Sequence, residues 1–371
     1  MSKLVVQSTW RNPGSRKLEA VRACHERDLK TLLSLLDSYI DLRSRKGVAT
    51  SVDTRASYRV AVTDWVHFCW PDPNVAPPVP ILRATEEDVA YYLGQLQQQG
   101  GHLDGASGQP LAPGSASTYL AGVRAFYRAL IWADALQDSP AQLVPTPSDP
   151  RPRHERRPAL PVGDYQELLA QVEVYYADDP ARRARTRLLI RLLGDQGLRV
   201  SEAVHLWVDD IDLRNAQLYV RKGKGGKSRT IPLTQSCQQA LTAWLQVRTI
   251  HAQADEPALL VNVGKKVKKA RLGRAMHVNT VRLELDRFYK QLNLGERYRG
   301  AHVLRHTAGT RLYHHTRDLH VVSQVLGHSD INTSSIYAKM DQQGLRDAMQ
   351  NIGKDDQTAQ SSDASTPPSS D

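Results

Sequence analysis

Residues 302–307 read His-Val-Leu-Arg-His-Thr and open a stretch whose pattern predicts a helix. Side chains three and four positions apart lie on one face of a helix, so His302, Arg305 and His306 are expected to point the same way. Paired histidines at this spacing also occur in zinc sites, but there a glutamate follows the first histidine. Because Arg305 lies between the two histidines and would repel a cation, we expect no metal and no other cofactor. His306 is expected to be a buried helix residue that supports the site.

A second segment, Gly-Leu-Arg-Val-Ser-Glu at residues 197–202, predicts a rigid corner between two helices. The glycine ends one helix and Ser201 can cap the next, which holds Arg199 between them. An arginine fixed by local geometry suits bidentate binding of an anion. Glu202 is expected to orient the basic groups near it. Taken alone, Gly-Leu-Arg is more often a simple helix stop.

Two further segments supply a lysine and a tyrosine. Residues 223–227, Gly-Lys-Gly-Gly-Lys, lie between two β-prone runs and predict the turn of a hairpin, from which Lys224 projects as a point charge. The two lysines that flank Lys224 remain alternatives to it. Residues 326–328, Leu-Gly-His, are followed nine residues later by Tyr337. A single tyrosine at helical spacing is usually a core residue, so neither segment is specific on its own.

Taken together and in this order, the motifs resemble those of tyrosine recombinases, also called phage integrases. The resemblance covers most of residues 162–352 and extends loosely, by helical pattern, over the residues before them. It implies a mainly α fold with a small antiparallel β-sheet, in which an N-terminal helical, SAM-like core-binding domain precedes a C-terminal α+β catalytic domain. It also implies a complete catalytic set, which consists of Arg199, Lys224, His302, Arg305, His328 and Tyr337.

The chemistry that the resemblance implies is the cutting and rejoining of DNA strands. The Tyr337 oxygen would attack a phosphodiester while two arginines and His328 neutralise the charge that develops on the non-bridging oxygens. His302 would take the phenol proton, and Lys224 would protonate the departing 5′ oxygen. The product would be a 3′-phosphotyrosyl enzyme, whose ester retains the bond energy. Neither a metal nor ATP would then be required.

Composition shifts along the chain, together with the functions that the resemblance implies, predict five regions. They are an N-terminal extension over residues 1–28, the helical DNA-binding domain over 29–144, a Pro/Arg-rich linker over 145–161, the catalytic domain over 162–352, and an acidic, disordered tail over 353–371. The stretch before the first helical domain is expected to be too short for the separate arm-binding domain of the larger phage integrases.

Local patterns add two expectations about packing. Asp164 and Glu167, three residues apart, predict a capping box at the start of a helix. The large aromatic residues of the helical region lie at helical spacing and are expected to form its core rather than to stack on bases; they are Trp65, Trp70, Tyr119, Phe126, Tyr127 and Trp132.

The charge of the chain favours double-stranded DNA as its partner. Lysine and arginine number 49 against 39 acidic residues, a formal net charge of +10, and the sequence pI is near 9.5. No apolar run approaches the length of a membrane-spanning helix, no signal pattern precedes the first helix, and three widely spaced cysteines fit a reducing compartment. We therefore expect a cytoplasmic, nucleoid-associated protein without a membrane partner.

Two basic stretches are candidate contacts to the DNA backbone, although a solvated linker or loop would show the same composition. They contribute Arg151, Arg153, Arg156 and Arg157 in the linker, and Lys265, Lys266, Lys268 and Lys269 in a later loop.

The resemblance also implies assembly on DNA. A predicted apolar stripe over residues 345–352 (Leu345 to Ile352) would dock on a neighbouring subunit, with packing on its own domain as the alternative. Four copies, of one protein or of two paired homologues, would form a tetramer. Two alternative functions remain at this point: a type IB topoisomerase, which shares the nucleophile and the arginines, and a DNA-binding regulator without catalysis. Relaxation of supercoiled DNA that lacks a specific site would favour the topoisomerase.

Overall fold

A computed structural model of the chain describes residues 8–103, 108–151, 158–221, 228–265, 267–295 and 298–327, together with residues 334, 336 and 337. The chain divides into two compact units, an N-terminal unit of residues 1–150 and a C-terminal unit of residues 151–371. The described residues are mainly helical, with one small antiparallel sheet, which confirms the predicted fold class.

The described part of the N-terminal unit consists of α-helices and two short 3₁₀ turns, Gly47–Ala49 and Ile81–Arg83. The α-helices are α1 (Ser8–Arg11), α2 (Pro13–His25), α3 (Leu29–Arg43), α4 (Val52–Cys69), α5 (Glu86–Gln98) and α6 (Pro113–Trp132). Several begin with the side-chain caps that their sequences predict, such as Ser51 on α4 and the Thr85–Asp88 capping box on α5.

Aromatic side chains fill the core of the N-terminal unit. The Trp65 ring packs edge-on against Tyr92 and Tyr127, with centroids 5.0 and 6.1 Å apart, and all three side chains are fully buried. Phe126 is also fully buried, whereas Trp70, Tyr119 and Trp132 are only partly covered. The core prediction is therefore confirmed for Trp65, Phe126 and Tyr127 and is only partly right for the other three aromatics.

Residues before the first predicted domain also belong to this core. Trp10 is 1% exposed, and Ala20, Ala23 and Cys24 on α2 are buried against the same cluster. The Trp10 indole donates a hydrogen bond to Ser34 Oγ on α3 at 2.9 Å. The described residues before Leu29 thus contribute to the core of the N-terminal unit.

The described part of the C-terminal unit contains helices, a three-stranded sheet and two 3₁₀ turns, Val208–Asp210 and Lys269–Arg271. The helices are α7 (Val162–Tyr175), α8 (Pro180–Gly194), α9 (Val200–Val204), α10 (Gln235–His251), α11 (Val278–Gln291), α12 (His302–Thr316) and α13 (Leu319–Leu326). The strands are β1 (Ile211–Asp212), β2 (Gln217–Val220) and β3 (Arg229–Pro232).

The sheet has the order β1-β2-β3, and both pairs are antiparallel. Val220 pairs with Arg229, so β2 and β3 form the predicted hairpin, while residues 222–227 at its tip lie outside the described residues. Leu218, Val220 and Ile231 are buried, and the alternate residues face outward. The sheet therefore covers the helical core with one face, as its alternating sequence predicts.

Helix α8 is the central element of the C-terminal unit. Its leucines and isoleucine at 188–190, 192 and 193 are fully buried, and its Arg185 forms a buried ion pair with Glu284 of α11 at 2.7 Å. Tyr176 and Thr186 also donate hydrogen bonds to Glu284. Burial raises the pKa of Glu284, but the charge of Arg185 and these hydrogen bonds outweigh it, and the pKa lies below its usual value.

One local prediction is wrong. Helix α7 begins at Val162, its N-cap residue is Pro161, and no side chain caps it, so Asp164 and Glu167 do not form a capping box. Pro161, with φ −53° and ψ +155°, is the last residue before the helix, so the helix starts two residues ahead of Asp164. Within the described residues, none of the helices combines the length and apolarity that a bilayer crossing requires.

Candidate active site

Arg199 lies in the turn between α8 and α9, where the backbone fixes its position. Gly197 in this turn has a φ of +65°, a left-handed conformation that favours glycine. A Cβ at this position would lie 2.2 Å from Cδ2 of Leu326, so the close approach of α13 also requires glycine. Arg199 follows as the N-cap residue of α9, with an extended backbone.

Glu202 holds Arg199 from the first turn of α9. Its Oε2 accepts a hydrogen bond from the backbone N–H of Arg199 at 2.9 Å, and its Oε1 accepts one from Nη1 of the same residue at 2.7 Å. The Glu202 side chain is 2% exposed. The bond from the backbone N–H holds the carboxylate near the turn, and the bond from Nη1 restricts the arginine side chain, because other rotamers would break a charge-assisted hydrogen bond.

Arg305 reaches the same place from α12. Its Nη1 donates to the carbonyl oxygen of Gly197 and its Nη2 to that of Leu326, both at 2.6 Å. Nη1 also lies 3.9 Å from Oε2 of Glu202, and the Arg305 side chain is buried. Arg305 therefore contacts both the turn that precedes Arg199 and the end of α13.

A third arginine, which the sequence analysis did not identify, completes the group. Arg229 is the first residue of β3, and its Nη1 and Nη2 donate to the two oxygens of Glu202 at 3.1 and 2.9 Å. Its Nε donates to the carbonyl oxygen of Val325 at 3.0 Å. The only sequence signal for it is its place directly after the hairpin turn, since its partners lie 27 and 96 residues away along the chain.

The end of α13 binds all three arginines, which we call the three-arginine cluster. Its last carbonyl groups accept one hydrogen bond from each: Val325 from Arg229, Leu326 from Arg305, and Gly327 from Arg199 at 3.4 Å. The carbonyl end of a helix carries partial negative charge, which favours cations there. Glu202 on one side and the end of α13 on the other thus hold the cluster between two negative poles.

The cluster has an excess of positive charge. Burial raises the pKa of Glu202, but hydrogen bonds from Arg229 and Arg199 outweigh it and bring the pKa down to about 2. Burial, with repulsion from Arg199, lowers the pKa of Arg305 to about 10. All four groups are charged at neutral pH, so three positive charges against one negative charge leave a net +2 at this place. Such a site suits an anion with two negative charges.

Tyr337 lies beside this cluster, buried against α12. Its side chain is 1% exposed and packs with Val322 and Leu326. A Cβ on Gly309 would lie 2.4 Å from Cε1 of the tyrosine, so Gly309 makes room for the ring. Burial raises the pKa of Tyr337 above its usual value of 10, and the charges of Arg305 and Arg199 offset part of that effect. The phenol is therefore within electrostatic reach of two cluster arginines.

The two described histidines of the first motif occupy different environments. His302 begins α12 and is exposed, whereas His306, one turn further on, is partly buried with its ring 5.8 Å from that of Tyr337. Among the described residues, no three histidine, cysteine, aspartate or glutamate side chains lie close enough to hold a metal ion.

Several predicted site residues lie outside the described residues. Among the catalytic and interface predictions these are Lys224, His328 and residues 345–352, and among the basic candidates they are Arg153, Arg156, Arg157 and Lys266. The other basic candidates, Arg151, Lys265, Lys268 and Lys269, are exposed. Exposure leaves them accessible to a phosphate backbone as well as to water, so their role stays a prediction.

Comparison with known proteins places the chain among recombinases. The profile described as "Phage integrase family" matches residues 160–343. The chain is similar to tyrosine recombinase XerC of Chromohalobacter salexigens, with 32% identity over 238 residues, which is 64% of this chain and 74% of that protein. It is also similar to tyrosine recombinase XerC of Pseudomonas syringae pv. syringae, with 34% identity over 250 residues, which is 66% of this chain and 74% of that protein.

Solved structures share the fold. A XerH site-specific recombinase bound to a palindromic difH substrate, in a post-cleavage complex, matches with a TM-score of 0.61 and 19% identity over 93% of this chain and 98% of that one. The Tn1549 transposon integrase in complex with transposon right-end DNA matches with a TM-score of 0.60 and 18% identity, over 87% of this chain and 99% of that one.

Proposed function

This chain belongs to the phage integrase family of tyrosine recombinases, and we propose that it cleaves and rejoins DNA at specific sites through the phenol of Tyr337. The relatives named above are recombinases. This similarity does not favour the two alternative functions, a type IB topoisomerase or a DNA-binding regulator without catalysis. The observation that carries the proposal is the three-arginine cluster with its net positive charge, next to a tyrosine whose pKa is raised by burial and lowered in part by the charges of Arg305 and Arg199.

Arg199 and Arg305 are the groups that would bind the scissile phosphate. As the Tyr337 oxygen forms its bond to phosphorus, negative charge grows on the non-bridging oxygens, and donors fixed in advance stabilise that charge without reorganising. Glu202 and the end of α13 supply this fixation, because each arginine is held by charge-assisted or carbonyl hydrogen bonds. Two buried or half-buried guanidinium groups would therefore provide the electrostatic stabilisation that the reaction needs.

The proton balance requires a base and an acid. Because burial raises the pKa of Tyr337, its proton must pass to an acceptor as the phosphorus–oxygen bond forms, and we assign this role to His302. The bond between phosphorus and the 5′ oxygen breaks in the same step, and Lys224 would protonate that oxygen. His328 would donate a hydrogen bond to a non-bridging oxygen. His306 would support the tyrosine from α12.

The product of this step is a 3′-phosphotyrosyl ester and a free 5′-hydroxyl. A 5′-hydroxyl from a second strand can reverse the attack, which rejoins DNA in a new combination without a further energy source. We propose that neither ATP nor a metal takes part, since the arginines supply the positive charge that metal ions provide in two-metal nucleases.

The remaining parts of the chain would hold the DNA and assemble the complex. We propose that the helical N-terminal unit and the basic residues of the linker and the loop after Val263 contact the duplex, with binding that weakens steeply as salt rises. Residues 345–352 would dock on a neighbouring subunit in a tetramer. The protein would act in the cytoplasm, on nucleoid DNA.

The test begins with the unknown target. Wild-type protein is incubated with random-sequence duplexes that carry a nick, and DNA that stays attached in SDS is sequenced to give a cleavable site. Tyr337→Phe should form no adduct on that site while binding it with unchanged affinity, because only the nucleophilic oxygen is lost. Tyr313→Phe is the matched control, since Tyr313 packs in the same cluster and should form the adduct normally. An adduct that persists in Tyr337→Phe would assign the nucleophile elsewhere.

A further inference from the structure

The guanidinium group of Arg229 is largely buried and bonds to acceptors inside the protein. Its side chain is 11% exposed, and it donates to both oxygens of Glu202 and to the carbonyl of Val325. A guanidinium group has five N–H donors in a fixed fork, so this arrangement directs its fork at protein acceptors. All three nitrogens of the Arg229 guanidinium bond to protein acceptors. Burial raises the pKa of Tyr337, and the charges that offset part of that rise are those of Arg305 and Arg199, so these two arginines rather than Arg229 act on the nucleophile.

Its contacts join three elements that carry proposed catalytic residues. Arg229 begins β3 and pairs with Val220, which places it at the base of the hairpin that carries Lys224. Through Glu202 it reaches α9, and through Val325 it reaches the end of α13. A Cβ on Gly327 would lie 2.9 Å from Nη1 of Arg229, so glycine there lets the guanidinium lie against the backbone just before His328.

Glu202 cannot orient Arg199 unless its own carboxylate is fixed. Oε1 accepts from Arg199 and Arg229 together, at 2.7 and 3.1 Å, while Oε2 accepts from Arg229 and from the Arg199 backbone, both at 2.9 Å. If the bidentate bond were lost, the carboxylate could rotate, and the Nη1 of Arg199 would lose its defined direction.

We propose that Arg229 is a positioning residue that sets Arg199 for the transition state by fixing Glu202 and the end of α13. This inference rests on the proposed function. Arg229 itself makes no contact with DNA in this proposal. Loss of Arg229 should slow cleavage only by weakening the stabilisation that Arg199 gives to the charge on the phosphate oxygens.

The experiment compares Arg229→Gln with wild type on the selected nicked site. Removal of a fixed donor from a charge-stabilising site typically slows the chemical step by about 100- to 1,000-fold, and we expect a loss near the lower figure for the rate of adduct formation. DNA affinity should change by less than about threefold, because the contacts that hold the duplex remain. A fall in affinity with an unchanged rate would overturn the inference.

Two further measurements separate positioning from a general structural effect. On a site with a methylphosphonate at the scissile position, one charged oxygen is replaced by methyl, so less charge needs stabilisation and the loss should shrink to less than about tenfold. In the double variant Arg199→Ala/Arg229→Gln, the rate should match that of Arg199→Ala alone, because residues that act as a unit are not additive. Equal losses on both substrates, or multiplied losses in the double variant, would overturn the proposal.

Arg191→Gln is the matched control. Arg191 is 13% exposed and donates to Asp195, which is 4% exposed, so this pair has nearly the burial of Arg229 and Glu202 but no contact with them. The Arg191→Gln variant should lose about as much stability as Arg229→Gln. Its rates on the natural phosphate and on the methylphosphonate should keep the wild-type ratio. If Arg229→Gln behaves like this control, the inference is wrong. A wild-type protein that forms no adduct would instead contradict the proposed function.

Arg229→Lys covers the case in which the glutamine variant does not fold. A lysine keeps the charge but cannot bridge two carboxylate oxygens and a carbonyl at once, so it should fold and show the same substrate dependence. If both variants lose the helical circular dichroism of the wild type, Arg229 serves folding, and the positioning role is refuted.

Discussion

Replacement of Glu202 by glutamine tests how the site is held together. The amide keeps the shape of the side chain but removes the one negative charge among three arginines. Burial raises the pKa of Glu202, yet the hydrogen bonds from Arg229 and Arg199 bring it to about 2, below its ordinary value of 4.5. The folded protein therefore prefers the ionised carboxylate, and the substitution should cost the free energy of that preference.

The size follows from the difference between the two pKa values. The folded and unfolded pKa values of Glu202 differ by about 2.5. Since one pKa unit corresponds to about 1.36 kcal/mol, this difference gives roughly 3 kcal/mol of stability at neutral pH. No discount for solvent screening is needed, because the side chain is 2% exposed. Since the folded pKa is the lower one, this stability is fully present above 4.5 and is lost as pH falls towards 2. At about pH 3, roughly 1 kcal/mol should remain.

Amide hydrogen exchange measures this free energy locally. Peptides from residues 180–204 report the opening of the unit that holds Glu202, which avoids assuming one unfolding transition for a chain of two units. Wild type and Glu202→Gln should differ by about 3 kcal/mol at neutral pH, and the difference should narrow on acidification. Adduct formation should slow as well, because Arg199 loses its partner.

Glu167→Gln is the control, since Glu167 is exposed and its substitution should change stability by less than about 0.5 kcal/mol. A difference between wild type and Glu202→Gln that does not vary with pH would show that the charge of Glu202 is not what stabilises the cluster. A difference of less than about 1 kcal/mol at neutral pH would refute the reasoning in the same way.

Three further substitutions probe other parts of the site. Gly309→Ala puts a Cβ 2.4 Å from the Tyr337 ring and should slow adduct formation by at least about tenfold. The stability measured by hydrogen exchange should change little, because the higher helix propensity of alanine, worth about 1 kcal/mol, offsets the cost of overpacking. A normal rate of adduct formation would contradict this packing. Glu284→Ala leaves the buried Arg185 without its carboxylate and should cost about 3–5 kcal/mol by hydrogen exchange, and a loss below about 1 kcal/mol would contradict this. Lys224→Ala should slow cleavage, and a substrate with a 5′-thiolate leaving group should restore the rate, since that group needs no proton; failure of this rescue would point to another lysine of the same turn.

Local signals in the sequence were sufficient for much of the fold. The β-prone runs on both sides of the glycine-rich turn predicted the β2–β3 hairpin, and helical spacing predicted the aromatic core around Trp65. These features depend on neighbouring residues, which a sequence displays directly. The prediction of a capping box at Asp164 and Glu167 was wrong because several residues there can precede a helix. The N-cap residue is Pro161, and the helix begins at Val162.

The arginines of α8 show what charge alone does not reveal. Five arginines in one helix suggest a basic surface, but the structure pairs them internally. The ion-pair partners are Asp179 for Arg182, Glu173 for Arg183 and Arg187, Glu284 for Arg185, and Asp195 for Arg191. All four carboxylates lie outside the helix, two of them directly at its ends, so the sequence of α8 does not distinguish a paired arginine from one available to bind phosphate.

The sequence by itself determined the order and the type of the proposed functional residues, because each motif is a short segment whose residues are neighbours along the chain. Only the tertiary structure decided how the arginines are held. Glu202, Arg229 and Val325 come from three separate elements, and their hydrogen bonds form only when folding brings α9, β3 and α13 together in a buried place. Burial makes those bonds strong and their loss costly, and burial is a property of the packed chain.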